Sequence, residues 1–202
     1  MKITNVTIAG AGVLGSQVAW QVAQHGFNVT VYDVFAEGLA GGKRNHRQFA
    51  ELFHSRRGFS QEEVEGTLSR IIYTTDLADA VKDADLISES VPENLDIKKK
   101  FYLELAKAAP EKTIFTTNSS TMVPSMYALE TGRPEKFLAL HFANPVWDAN
   151  VGEVMMHPGT DSSCFEIVID FARAIGMVPI PIHKEQSGYI LNSLLIPFLT
   201  AG

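Results

Sequence analysis

The sequence holds a single cysteine, Cys164, so no disulfide can form within the chain. Such usage fits a reducing compartment. Its neighbours Phe165, Ile167 and Val168 place the thiol at a buried helix position rather than at a reactive site. Positive charge is also scarce. Lys and Arg number 17 against 23 Asp and Glu, a net charge of −6, which argues against a nucleic-acid binder. The longest basic cluster, Lys98-Lys99-Lys100, reads as a mostly solvated helix face. No apolar run is long enough to span a bilayer. The first apolar segment is broken by glycines, unlike a secretory leader. Repeats and low-complexity stretches are absent, and no metal site is assigned. A cytoplasmic globular protein is therefore expected. With 46% hydrophobic and 20% charged residues in 202, its composition is ordinary for one large domain.

What is present is an alternation of strand-like and helix-like segments. Val6–Ala9 is a short apolar run closed by glycines. Val13–His25 has helical spacing through Val13, Leu14, Val18 and Val22, and Gly26 stops it. Asn28–Tyr32 is strand-like again. Strand, helix and strand within about thirty residues form a right-handed parallel unit. An excursion, Phe35–Ser69, reads as two polar helices around Arg57-Gly58-Phe59-Ser60, with Ser60 and Glu63 as a capping box. Further strands are expected at Ile71–Thr74, Leu86–Glu89, Thr113–Thr116, Phe137–His141, Glu153–His157 and Met177–Pro181, with helices at Leu95–Ala108 and Asp161–Ile175. The fold class is α/β, a Rossmann-type doubly wound, mostly parallel sheet with a helical excursion after its second strand. Residues 1–186 form this domain. Residues 187–202 begin a helix whose Ile190, Leu191, Leu194, Leu195 and Phe198 need a packing partner. That partner is either a helical domain further along a longer chain or this domain itself.

Gly10-Ala11-Gly12-Val13-Leu14-Gly15 matches G-x-G-x-x-G between a strand and a helix. Gly10 permits the tight turn, Gly12 lets the backbone approach a pyrophosphate, and Gly15 lets the helix pack closely on the sheet. The N–H groups of the helix start, at Val13 and Leu14, face the phosphates. Asp33 ends the second strand and suits the two ribose hydroxyls of NAD. It would repel a 2′-phosphate, and no arginine follows it.

His141 closes a strand at the sheet edge where ligands bind in this architecture. Oxidising an alcohol by hydride loss requires a base for the hydroxyl proton, and histidine serves near neutral pH. Glu153, twelve residues on, can orient the ring and stabilise the imidazolium. A lone strand-end histidine is more often structural.

These pieces, with Glu93-Asn94-Leu95, Lys98, Thr117-Asn118-Ser119-Ser120, His141-Phe142-Ala143-Asn144-Pro145 and Gly188-Tyr189-Ile190-Leu191-Asn192, resemble the L-3-hydroxyacyl-CoA dehydrogenases over essentially the whole chain. The resemblance implies His141 as general acid/base with Glu153 as its partner. It implies Ser120 and Asn192 near the reacting oxygen, Asn144 as a further site residue, and Glu93, Lys98, Asn118, Ser120 and Asn144 around the cofactor NAD. It also implies a role in fatty acid metabolism and a helical domain beyond this chain that makes a homodimer. Read alone, Ser120 is equally a helix cap, and Asn192 a helix-surface amide. Ala143 stands where the family has a second aromatic, and Trp147 follows in the loop. These features look like a bacterial subgroup that includes diketoreductases. Trp147 either meets substrate or packs the loop. Lys43, Arg44, Arg47, Arg56 and Arg57 either meet CoA phosphates or line a solvated face. Three functions are thus in view: a short-chain 3-hydroxyacyl-CoA dehydrogenase, a reductase of free β-keto or diketo compounds, and a non-catalytic cofactor-binding protein like the lens crystallins that resemble this family.

Overall fold

A computed structural model describes residues 2–200. The first strand, β1 (Asn5–Ala9), leads through α1 (Val13–Gln24) to β2 (Asn28–Tyr32). The excursion is α2 (Ala36–Arg56) and α3 (Gln61–Ser69). The Ser60 capping box forms: its hydroxyl accepts the Glu63 N–H at 3.2 Å, and the Glu63 carboxylate accepts the Ser60 N–H at 2.8 Å. There follow β3 (Ile71–Thr74), a short α4 (Leu77–Val81), β4 (Leu86–Glu89), α5 (Leu95–Ala108), β5 (Ile114–Thr117) and β6 (Phe137–Phe142). Then come β7 (Val151–Met155), α6 (Ser162–Ala174), β8 (Val178–Ile182) and α7 (Leu191–Thr200).

The eight strands form one sheet in the order β3-β2-β1-β4-β5-β6-β7-β8. Strand order reverses beside β1, so a crevice opens at the carboxyl ends of β1 and β4. The pairing of β6 with β7 is antiparallel, and every other pairing is parallel.

Both faces are covered, which explains why β4, β5 and β6 are buried along their whole length. One face meets α1 and α6 through Val6, Ile8, Val18, Val22, Leu138, Leu140 and Val168. The other meets α4 and α5 through Ile87, Tyr102, Leu105, Phe115 and Phe137. Each such buried side chain contributes about 1.5–3 kcal/mol. The excursion adds a smaller core of Trp20, Phe53 and Val64. Cys164 is buried on α6, as its neighbours imply.

Two expectations shift. The last helix begins at Leu191 rather than Ser187, because Gly188 and Tyr189 both adopt positive φ and interrupt the helical path. Helix α7 buries none of its residues, with Leu194 and Phe198 70% and 81% exposed, so it does not fold back on this domain. Strand β7 lies two residues earlier than expected, since Val151 and Gly152 are taken into the sheet and Met156 and His157 are left out.

Candidate active site

Gly10 has φ +106°, and a Cβ there would lie 2.5 Å from the Ser90 carbonyl oxygen. A Cβ on Gly15 would lie 2.0 Å from the Gly10 carbonyl oxygen. At Gly12 a Cβ would meet nothing within 4 Å, so that position faces open space. No side chain caps α1, and its first N–H groups, among them those of Val13 and Leu14, lack intrahelical acceptors. An uncapped helix start behind an open glycine fits a pyrophosphate, so this turn would hold the dinucleotide. Asp33 braces the turn, accepting the Ala11 N–H at 2.9 Å and the Phe35 N–H at 3.0 Å. Gly38 makes room for it, since a Cβ there would sit 2.6 Å from the carboxyl carbon.

Side chains alternate faces along β6, so His141 shares the face of Phe137 and Ala139. In the antiparallel ladder His141 lies directly opposite Glu153, where Cβ atoms are close enough for side chains to meet. Glu153 Oε2 accepts the His141 Nδ1–H at 2.8 Å. That leaves Nε2 as the acceptor of the neutral ring, and it faces the Ser120 hydroxyl at 3.2 Å. Glu153 is fully buried. Burial alone would raise its pKa, but hydrogen bonds from His141 and from the Leu191 and Ile190 N–H groups outweigh it and hold the carboxyl below its ordinary value. Both amides donate to Oε1 at 2.8 Å. Asn192 donates to the Ser120 carbonyl oxygen at 3.4 Å. The four residues singled out for catalysis, His141, Glu153, Ser120 and Asn192, thus converge.

The other candidates hold the rim together. Asn118 accepts the Phe142 N–H at 2.9 Å and donates to Ser90 at 3.2 Å. Glu93 accepts from Ser119, and from the Thr121 hydroxyl at 2.9 Å. Burial would raise the Glu93 pKa, but those bonds and Lys98 hold it below its ordinary value. Lys98 is the buried member of the lysine cluster. It is 1% exposed rather than surface, and its ammonium lies 2.6 Å from Glu89 and 3.4 Å from Glu93. Its direct partners here are these carboxylates. Glu89 also accepts from Thr117 at 2.8 Å and Tyr102 at 3.1 Å.

Asn144 is exposed and accepts from the Gln17 amide at 2.9 Å, while Gln17 accepts the Val146 N–H at 3.0 Å. Trp147 packs edge-on against Phe49 and Phe53, centroids 4.9 and 5.3 Å away. Its packing reading therefore holds, and Arg57 pairs with Asp148 beside it. Glu89 and Gln17 escaped the sequence reading. Gln17 and Gln21 sit among the apolar positions of α1, and both are buried; that interruption was the available signal. Among the described residues no cluster of three His, Cys, Asp or Glu could hold a metal, and no helix is long and apolar enough to cross a membrane.

The sequence model of the family described as "3-hydroxyacyl-CoA dehydrogenase, NAD binding domain" matches residues 5–186. The chain belongs to the 3-hydroxyacyl-CoA dehydrogenase family. NAD is accordingly the cofactor of this family domain. The chain is 36% identical to a probable 3-hydroxyacyl-CoA dehydrogenase of Caenorhabditis elegans, over 98% of its own length and 65% of the relative. It is 35% identical to the human mitochondrial hydroxyacyl-coenzyme A dehydrogenase, over 98% of itself and 64% of that protein. It thus spans just under two thirds of these curated relatives. Among solved structures, a diketoreductase studied for dual catalysis of dicarbonyl compounds superposes with a TM-score of 0.96 at 51% identity, covering 100% of this chain and 71% of that one. A 3-hydroxybutyryl-CoA dehydrogenase of Escherichia coli superposes at 0.94 with 29% identity, covering 100% of this chain and 42% of that one.

Proposed function

We propose that this 3-hydroxyacyl-CoA dehydrogenase family member interconverts (S)-3-hydroxyacyl and 3-oxoacyl groups, with a short-chain acyl-CoA as substrate. The hydrogen-bonded chain Ser120–His141–Glu153 at the carboxyl rim of the sheet, on the side of the glycine turn, carries the reading. NAD, when bound, would supply the hydride acceptor. In that oxidation His141 Nε2 takes the hydroxyl proton, and in reduction it returns it. Glu153 keeps the tautomer and stabilises the imidazolium, the role of a buried carboxylate behind a catalytic histidine. Ser120 and Asn192 position the reacting oxygen. Glu93, Lys98, Asn118 and Asn144 shape the nicotinamide side of the cleft, either directly or through the loops they tie.

A second reading, a reductase of free β-keto or diketo compounds, is favoured by the 51% identical diketoreductase. NADH oxidation with acetoacetyl-CoA, a free 3-oxo ester and a 3,5-dioxo ester separates the two. Turnover of the free esters alone overturns the thioester reading. His141→Gln is expected to lower kcat by about 10²–10⁴ with NADH affinity unchanged; equal loss of both would remove His141 from its role.

The same proposal takes residues 1–186 as the cofactor domain and 187–202 as the start of a linker helix. It places a homodimer in a further helical domain and the protein in the cytoplasm. The exposed apolar side chains of α7 and the greater length of the relatives support the linker. Fractionation of the native protein and its mass in solution test the compartment and the dimer.

A further inference from the structure

Tyr189 has no part in the roles above. Its ring lies against the His141 imidazole, centroids 4.7 Å apart and planes 29° apart. The residue is fully buried, and its hydroxyl has no hydrogen-bond partner among the described residues. Its φ is +55°, a left-handed conformation that a bulky side chain resists. Two unfavourable features therefore fall on one residue, and that residue touches the base.

The geometry explains both. The hydrogen bond from His141 Nδ1 to Glu153 defines an axis but not the plane of the imidazole. The contact of Nε2 with Ser120, at 3.2 Å, lies at the long end of the hydrogen-bond range and is made to a rotatable hydroxyl, so it holds that plane only loosely. The stacked ring of Tyr189 closes one face and supplies the missing constraint. The left-handed turn then aims the next two amides, Ile190 and Leu191, at Glu153 Oε1. The turn is itself tied down. Gln186 donates to the Tyr189 carbonyl oxygen at 3.3 Å, and Ser187 donates to the Thr121 carbonyl oxygen at 2.6 Å. We propose that Tyr189 is a positioning residue for proton transfer: its ring sets the plane of His141, and its backbone seats the carboxylate behind it. This deepens the dehydrogenase reading and rests on it for its kinetic consequences. The ring does the work, so the unpaired hydroxyl is dispensable.

Three variants test this. Tyr189→Leu keeps bulk and loses the flat ring. Its kcat on whichever 3-oxo substrate the parent protein reduces is expected to fall about tenfold to a hundredfold, the scale of a small misplacement of a reacting group. KM and NADH affinity stay within about twofold, since neither depends on the plane of the imidazole. Tyr189→Met, with a flexible chain in the same space, carries the same expectation should the leucine variant not fold. Tyr189→Phe restores kcat. Proton NMR gives a readout independent of turnover: the His141 Hε1 resonance is shifted by the stacked ring in the parent and in Tyr189→Phe, and relaxes toward its ordinary position in Tyr189→Leu. Leucine and methionine variants that keep full kcat would overturn the proposal. So would a phenylalanine variant as impaired as leucine, NADH affinity falling in step with kcat, or an Hε1 resonance indifferent to the substitution. If the parent turns over no 3-oxo compound, the dehydrogenase reading fails, and the resonance still decides whether the stack orders the ring.

Discussion

Gly12 and Gly15, two glycines of one motif, should behave oppositely when a methyl group is added. Gly15→Ala forces a carbon to within 2.0 Å of the Gly10 carbonyl oxygen. The helix must then lift off the sheet, and overpacking of this kind costs about 1–3 kcal/mol or more. Gly12→Ala meets no atom within 4 Å. Its stability should change by less than about 1 kcal/mol, while NADH affinity is lost because the added methyl occupies the pyrophosphate path. Thermal melts beside NADH titrations check the pair; a Gly12→Ala protein that binds NADH normally would remove the turn from the cofactor site. The motif was readable because its demands are local, within six residues. Lys98 was not. In the run of three lysines only helical register sets it apart, three residues after Leu95 and four before Tyr102 on the buried face of α5, and spacing does not reveal the partner that lets a charge sit there. Its burial depends on Glu89, a carboxylate brought from another element by the sheet.

The excursion illustrates the limit for an element. Its two helices and the Ser60 cap are legible from polar spacing and turn residues. Its one buried imidazole is not. His46 on α2 is fully buried, donating from Nε2 to the Ser16 carbonyl oxygen at 2.9 Å and accepting from the Tyr73 hydroxyl at 2.6 Å. Those partners come from α1 and β3, so no local pattern announces them. Burial outweighs the bond to Ser16 and pushes the His46 pKa from 6.5 down to about 4. The unfolded chain therefore binds this proton first as pH falls. The contribution of His46 is fully present above about 6.5, shrinks as pH drops toward about 4, and is worth on the order of 3 kcal/mol across that window. Glu93 and Glu153, held below an ordinary value of 4.5, are present above that value and are lost only as pH falls through their lower folded values. Urea unfolding at pH 7.5 and 5 should thus show a loss that His46→Asn flattens; an unchanged pH slope in that variant would assign the loss elsewhere.

Across the whole molecule, the parallel core followed from alternating strand and helix signals, whereas the reversal at β7 did not. Strand direction is a property of the connection, and a buried apolar run looks alike in either sense. The connection between β6 and β7 is held from outside the site by Gln17, by the Arg57–Asp148 pair and by Trp147 among Phe49 and Phe53. Trp147→Ala should cost about 3 kcal/mol, the low end for large aromatic truncations, because the residue is only partly buried. It should leave the His141 resonances unmoved, since the dyad is seated by the ladder; perturbed His141 signals would show that the loop helps hold the base. The opposition of His141 and Glu153 has a further consequence. Because the two residues meet by register, the segment joining their strands can gain, lose or exchange residues without separating them. A lineage can therefore rewrite what it admits to the cleft while the apparatus that moves the proton is inherited intact.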